Sequence, residues 1–194
     1  MLKIALYAVI VLIASQNYSH AFTDAREYVV SVAGDLFKTV SDKKIPLATQ
    51  KKVLVNRLVS EIDFEWCGRA VTGSFWKEMT DAQRSSFIEN YKAFLVRTWM
   101  PKFHGYSGET YKIFEASESG QSDALVPILL TLKNGNSINI ELRVRQKDGV
   151  YKILDLSVEG VSIARTYNIQ FTEYMSKHGI EECINYLKTG KIKQ

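Results

Sequence analysis

The chain has 194 residues, 46% of them hydrophobic and 24% charged, and a formal net charge of +4 at pH 7. That length is typical of one domain. The weak charge, with both signs interspersed, argues against a nucleic-acid-binding protein. The composition therefore indicates one globular domain with a mixed-charge surface.

The N-terminal segment has the pattern of a secretory signal peptide. Lys3 precedes the apolar run 4–14, and Ser19-His20-Ala21 supplies the small-x-small end after which cleavage is expected. The apolar run is only half of the roughly 20 residues that span a membrane as a helix. The sequence therefore predicts a signal peptide, 1–21, cleaved after Ala21, and a single exported, soluble domain, 22–194.

Apolar residues at helical spacing predict three helices at the start of the mature chain. The first runs from Asp24 to about Val40, and the second begins at Pro46, which suits a first helical turn. A short third helix begins near Phe64 and ends at Gly73.

The fourth predicted helix has the clearest boundaries. It begins with a capping box, Thr80-Asp81-Ala82-Gln83, and Pro101 closes it. Between these limits one broad apolar stripe contains Phe87, Ile88, Tyr91, Phe94, Leu95 and Trp99.

The next part of the chain predicts an antiparallel meander. Asn134-Gly135 and Asp148-Gly149 favour hairpin turns because both residues of each pair accept a positive φ, and Gly120 marks a third turn. These turns separate four predicted strands, near 110–118, 123–133, 137–146 and 150–158.

The last two predicted strands alternate apolar and polar residues, so each has one apolar face. Those faces carry Ile138, Ile140, Leu142 and Val144 on the third strand and Leu154, Leu156 and Val158 on the fourth. Two more helices follow, separated near Gly179. This order predicts an α+β domain in which N-terminal and C-terminal helices pack on a four-stranded antiparallel sheet.

Residues suited to catalysis are scarce. The mature chain has two histidines, His104 and His178, and no motif of a metalloprotease, a serine hydrolase or a phosphate-binding loop. Asp155 and Glu159 could form an acid/base pair, although an ion pair or hydrogen bonds that anchor a loop are the simpler use. No cluster of metal ligands is evident. We therefore expect neither an enzyme nor a metal or cofactor.

The two cysteines, Cys67 and Cys183, leave their redox state open. They could pair in an oxidising compartment. However, each lies on the apolar face of a predicted helix, where a buried free thiol is equally natural. The pattern favours two buried thiols without excluding a disulfide.

Two segments resemble signatures of a known family. "LSVEGVSIARTYNIQF", 156–171, resembles the strand–corner–helix signature of the MlaC family of periplasmic phospholipid-binding proteins, and "VTGSFWKEMTDAQRSSFIENYKAFLVRTW", 71–99, is similar to its other signature. The likeness covers essentially the whole mature chain. The chain departs from the family at Tyr151, where a Trp is usual, and at Asn168-Ile169, where an Arg is common.

The resemblance implies a carrier without catalytic residues. It implies an apolar cavity for the acyl chains of a phospholipid, with the headgroup near solvent. It further implies a periplasmic monomer that shuttles lipid between an outer-membrane lipoprotein complex and the MCE-domain subunit of an inner-membrane ABC transporter, and so maintains outer-membrane lipid asymmetry.

Candidate cavity residues come from the apolar sheet faces and the fourth helix, and ordinary core packing is the alternative for each of them. They are Phe94, Leu95, Trp99, Ile138, Ile140, Leu142, Val144, Leu154, Leu156 and Val158. Arg97 and Arg143 are candidates for the lipid phosphate, because a guanidinium matches its oxygens in bidentate fashion; a surface ion pair is the alternative.

Two other functions remain open at the sequence level. A secreted protein–protein adaptor would have a solid core and no ligand-sized void. A cone-shaped α+β enzyme would need a buried constellation of His, Asp or Tyr side chains, which the positions of the two histidines do not favour.

Overall fold

The computed structural model describes residues 24–120 and 122–190. The predicted signal peptide and its cleavage site lie outside these residues. Helices form the first half of the described chain. They are α1 (24–41), α2 (Leu47–Glu61), α3 (Phe64–Thr72), the single turn α4 (Phe75–Glu78) and α5 (Asp81–Trp99), which continues as a 3-10 turn, Met100–Lys102.

The helix boundaries follow the local signals in the sequence. At the start of α5 the Thr80 hydroxyl accepts a hydrogen bond from the Gln83 amide at 3.2 Å, and the Gln83 side chain accepts one from the Thr80 amide at 2.9 Å. This is the predicted capping box. Asp63 caps α3 by accepting from the amide of Trp66 at 2.9 Å, and Gly73, with φ of 58°, ends it.

Within the described residues the sheet has six antiparallel strands. They are β1 (Thr110–Ile113), β2 (Ser117–Ser119), β3 (Asp123–Thr131), β4 (Ser137–Lys147), β5 (Val150–Val158) and β6 (Val161–Ser162). The strand order is β1-β3-β4-β5-β6, with β2 also paired to β3. The α+β class and the central hairpins are therefore confirmed, and the predicted number of four strands is corrected to six.

Two local features account for the extra strands. The predicted strand 110–118 is interrupted opposite Pro127 in the middle of β3. The Pro127 carbonyl accepts from the amide of Phe114 at 2.9 Å, but a proline has no N–H to return. The second extra strand, β6, forms after the corner at Glu159 and Gly160 and pairs with the end of β5.

A β-bulge in β5 changes which side chains face the helices. The pairs with β4 are Leu142 with Leu156 and Val144 with Ile153, so one extra residue is inserted in β5 between the two pairs. At a bulge, two consecutive residues of one strand lie opposite a single residue of the partner strand, which interrupts the alternation of side chains between the two faces. Strict alternation therefore fails at Ile153, which shares the face of Val144 and is buried together with the predicted inward residue Leu154.

Two hydrophobic clusters hold the domain together, and α6 (Ile163–His178) and α7 (Ile180–Thr189) complete one of them. The helical cluster joins α3, α5, α6 and α7 through residues that include Phe64, Phe87, Tyr91, Phe94 and Phe171. The sheet cluster joins α1 to the inner sheet face through Ala25, Val29, Ala124, Val126, Val144 and Ile153.

Candidate binding cavity

A cavity of about 580 Å³ lies between the helices and the sheet. Its wall is formed by α1, α2, α3, α5 and the 3-10 region on the helical side, and by β3, β4, β5 and the start of α6 on the other. The wall is almost entirely apolar. Its charged residues, within the described part of the chain, are Lys92 and Asp155.

Helices α1 and α2 form the cover of the cavity. Val29, Val32 and Leu36 of α1 and Leu58 of α2 face into it. Polar contacts tie the two helices together: the Tyr28 hydroxyl of α1 donates to Glu61 Oε2 of α2 at 2.8 Å, and Arg57 of α2 lies 3.3 Å from Asp35 of α1. Arg57 also pairs with Glu61 within α2 at 2.8 Å. Sequence reasoning did not assign the apolar residues of α1 and α2 to the cavity, although their helical spacing was visible in the sequence.

Five of the ten predicted cavity residues lie in the wall. They are Leu95, Trp99, Leu142, Leu154 and Leu156. Ile153 also lies in the wall but was not predicted, because the bulge that turns it inward depends on pairing with a distant strand. Whether these residues contact a lipid stays a prediction.

The other five predicted residues lie away from this wall. Phe94 belongs to the helical cluster, with its ring centroid 5.5 Å from that of Tyr167, and Val144 is fully buried in the sheet cluster. Ile138, Ile140 and Val158 lie nearer the β3–β4 turn, beyond the cavity; Ile140 instead lines a shallow hollow of about 180 Å³.

Neither of the two residues predicted to bind the headgroup lines the cavity, and each has a partner within the protein. Arg97 donates to the carbonyl of Leu187 at 2.8 Å, near the end of α7, where helix carbonyls lack partners. Arg143 donates to Asp123 at 2.6 Å, and Arg145 binds the same carboxylate. Burial alone would raise the pKa of Asp123, but hydrogen bonds from Arg145 and Arg143 outweigh burial and hold it below its ordinary value.

Asp155 anchors the corner between the sheet and α6. Its Oδ1 accepts from the amides of Leu156 at 2.8 Å and Ala164 at 2.9 Å, and its Oδ2 accepts from the Ser162 hydroxyl at 2.5 Å. Ser162 also caps α6 by accepting from the Arg165 amide at 3.0 Å. The carboxylate of Asp155 is thus held by the first turn of α6, where negative charge is favourable.

Glu159 lies in the same corner and has a different set of partners. Its backbone φ is 49°, and its carboxylate accepts from the amide of Asn139 at 2.6 Å. Asp155 and Glu159 therefore serve as anchors of the strand–helix joint rather than as an acid/base pair.

The two cysteines are free and buried, as their positions on apolar helix faces predicted. Cys67 lies in the cavity wall and donates to the carbonyl of Leu154 at 3.3 Å. Burial raises the pKa of both Cys67 and Cys183 to about 12. Both groups are therefore neutral thiols at physiological pH, which makes them weak nucleophiles.

The described residues contain neither a metal-binding cluster nor a membrane-spanning helix. No group of three or more His, Cys, Asp or Glu side chains in 24–120 and 122–190 is placed to hold a metal ion. None of the helices described in this range is both long and apolar enough to cross a membrane.

Comparison with known proteins places this chain beside phospholipid-binding relatives. The sequence model of the MlaC protein family matches residues 30–189. The intermembrane phospholipid transport system binding protein MlaC of Haemophilus influenzae is 23% identical over 150 residues, which cover 71% of this chain and 66% of that protein. A phospholipid-binding protein from Ralstonia solanacearum, solved in complex with a phospholipid, has the same fold, with a TM-score of 0.74, 22% identity and coverage of 84% of this chain and 94% of that one.

Proposed function

The chain belongs to the MlaC family, and from this premise we propose that it is a phospholipid carrier that binds and releases its cargo without transforming it. The observation that carries the proposal is the 580 Å³ cavity with its apolar wall. Its volume lies within the roughly 300–1,000 Å³ of typical ligand pockets. A related protein of the same fold was solved with a phospholipid bound.

The physical need for such a carrier follows from the cost of exposing acyl chains to water. Two acyl chains contain about thirty methylenes, and at roughly 0.8 kcal/mol each their exposure costs on the order of 24 kcal/mol. A cavity that reburies most of this surface makes exchange between a membrane and the protein nearly neutral in free energy. Direction must then come from the partners.

We propose the wider role that the family suggests. The mature domain, 22–194, is a periplasmic monomer that exchanges phospholipid with an outer-membrane lipoprotein complex and with the MCE-domain subunit of an inner-membrane ABC transporter. This exchange maintains outer-membrane lipid asymmetry. The intermembrane transport named for the Haemophilus influenzae relative supports this role.

The local chemistry of the cavity favours binding over catalysis. Asp155 has its carboxylate occupied by the corner. Burial raises the pKa of Tyr91 well above its ordinary value, so its hydroxyl is a poor proton donor. Cys67 is a neutral thiol. These wall residues offer no activated nucleophile or base.

The test is native mass spectrometry of the purified mature protein, with an organic extract analysed in parallel. We expect about one phospholipid per chain, held after export and purification. A protein that is lipid-free, and that also fails to take lipid from phosphatidylethanolamine–phosphatidylglycerol vesicles, would refute the carrier proposal and favour a protein–protein adaptor.

A further inference from the structure

Lys92 is the one cation in the described wall of an otherwise apolar cavity. It lies on α5, one turn before Leu95 and Val96, which also line the wall. Its side chain is 29% exposed, so its methylene stem covers apolar surface while its ammonium reaches the solvent edge. The ammonium therefore lies at the rim of the cavity.

Two contacts fix the position of this ammonium. The Lys92 Nζ lies 2.6 Å from Glu89 Oε1, on a side chain that is 71% exposed. It also lies 5.4 Å from the ring centroid of Phe64, which is buried and lines the cavity. The charge thus sits between an exposed carboxylate and the apolar interior.

The remaining charge in the wall is not available to a ligand. Both oxygens of Asp155 accept hydrogen bonds from the corner and the first turn of α6. By contrast, Lys92 and Glu89 form an i,i+3 pair on the helix surface, and exposed pairs of this kind are weak and easily exchanged. The cavity consequently presents, beside a long apolar wall, a positive charge whose carboxylate partner is exposed and exchangeable.

The geometry points to Lys92 as the residue that selects the cargo by its charge. In the complex, the Lys92 ammonium leaves Glu89 and pairs with the anionic group at the head of an acyl chain. That group is either a phosphodiester or a fatty-acid carboxylate. An ammonium and such an oxyanion form a charge-assisted hydrogen bond. The inference rests on the proposed function, and it adds that uncharged diacylglycerol is discriminated against.

A competition assay tests this selection. Delipidated mature protein is incubated with phosphatidylglycerol vesicles that contain diacylglycerol and free fatty acid with the same acyl chains. The protein is then recovered by gel filtration and its lipids are extracted and quantified by mass spectrometry. The readout is the enrichment, which is the ratio of each anionic lipid to diacylglycerol on the protein divided by the same ratio in the vesicles.

Four proteins are compared. They are the wild type, Lys92→Gln, Glu89→Gln, which leaves Lys92 without its present carboxylate partner, and Lys77→Gln, which removes an exposed cation on α4 outside the cavity wall. Thermal unfolding of each variant verifies that the fold is retained. The phosphatidylglycerol and fatty-acid arms separate a phosphodiester from a carboxylate as the group bound.

We expect the wild type and Lys77→Gln to enrich an anionic lipid over diacylglycerol by roughly tenfold, as one charge-assisted contact at a partly exposed site provides. Lys92→Gln should lose most of this enrichment, and Glu89→Gln should increase it. Added salt should reduce the enrichment in the wild type but not in Lys92→Gln.

Two failures are distinguishable. Equal enrichment in the wild type and in a folded Lys92→Gln would overturn the role of Lys92 while leaving the carrier function intact. Recovery of no lipid of any class on the wild type would overturn the carrier function, and the role of Lys92 with it.

Discussion

Leu142→Trp tests whether the space between helices and sheet is a true cavity. Leu142 lies on the inner face of β4 and lines the wall, paired with Leu156 across the sheet. Two residues further along the same face, Val144 is completely buried in the sheet cluster and is not in the wall. The same substitution at these two positions therefore meets an open space in one case and a packed core in the other.

The two substitutions should change the free energy of unfolding differently. A buried Trp covers about 150–250 Å², which at roughly 25 cal/mol per Å² is worth about 4–6 kcal/mol. Leu142 already supplies about 1.5–3 kcal/mol of this. Leu142→Trp should therefore leave the free energy of unfolding unchanged or raise it by up to about 2 kcal/mol, after some rotamer strain. Val144→Trp overpacks a filled core and should cost about 1–3 kcal/mol.

Two assays measure these effects. In thermal unfolding of delipidated protein, the Tm of Val144→Trp should lie about 2–12 °C below that of the wild type. Each kcal/mol shifts Tm by about 2–4 °C in a domain of this size. Lipid uptake from vesicles should fall for Leu142→Trp. If the indole excludes three methylenes of the cargo, binding loses about 2.4 kcal/mol, roughly fiftyfold in Kd.

The reasoning would be refuted by either of two results. Destabilisation of Leu142→Trp as large as that of Val144→Trp would mean that the space is closed in solution. Full lipid uptake by a stable Leu142→Trp would mean that the cargo does not occupy this part of the cavity.

Three further predictions concern the corner, the sheet and the thiols. Ser162→Ala removes the cap of α6 and should lower the free energy of unfolding by about 1–2 kcal/mol, seen as a lower urea midpoint; an unchanged midpoint contradicts it. The pKa of Asp123 is held below its ordinary value of 3.8, so its carboxylate stabilises the native state above that pH and the contribution is lost as pH falls further. Asp123→Asn should therefore be less stable at pH 7 and show a flatter loss of stability below about pH 4; a parallel pH profile for both proteins counts against this. Cys67 and Cys183 are free, so a thiol reagent should titrate two thiols in denaturant and react much more slowly with native protein; no thiols in denaturant would reveal a disulfide.

Local signals in the sequence predicted much of the fold. The capping box of α5 and the hairpins at Asn134-Gly135 and Asp148-Gly149 depend on residues close in sequence, and Gly135, Asp148 and Gly149 do adopt positive φ. The interruption opposite Pro127 and the bulge beside Ile153 depend on which strands become neighbours. Such pairings are not encoded in local spacing, and so the strand number and the facing of β5 differed from the prediction.

The cavity wall was harder to predict than the fold for a geometric reason. Phe94 and Leu95 are consecutive residues of one apolar stripe, yet successive positions on a helix differ by about 100° in direction. Phe94 is consequently buried within the helical cluster, whereas Leu95 only packs against that cluster and lines the cavity. Sequence periodicity identifies an apolar face, but it does not say which part of that face meets other side chains and which part meets a gap.

The two hydrophobic clusters lie on either side of the cavity and hold the gap open between them. A cavity of 580 Å³ emptied from a filled core would cost about 14 kcal/mol at roughly 24 cal/mol per Å³, comparable with the 5–15 kcal/mol stability of a whole domain. Buried members of both clusters also line the cavity, among them Phe64 and Tyr91 of the helical cluster and Ile153 of the sheet cluster, and Ile62 packs against both clusters. The packing within these clusters has to offset the cost of the gap, and a cargo that binds the folded protein adds to its stability. If the protein carries phospholipid as proposed, release requires an acceptor that offers the acyl chains equivalent burial, and a partner rather than a catalytic residue would supply it.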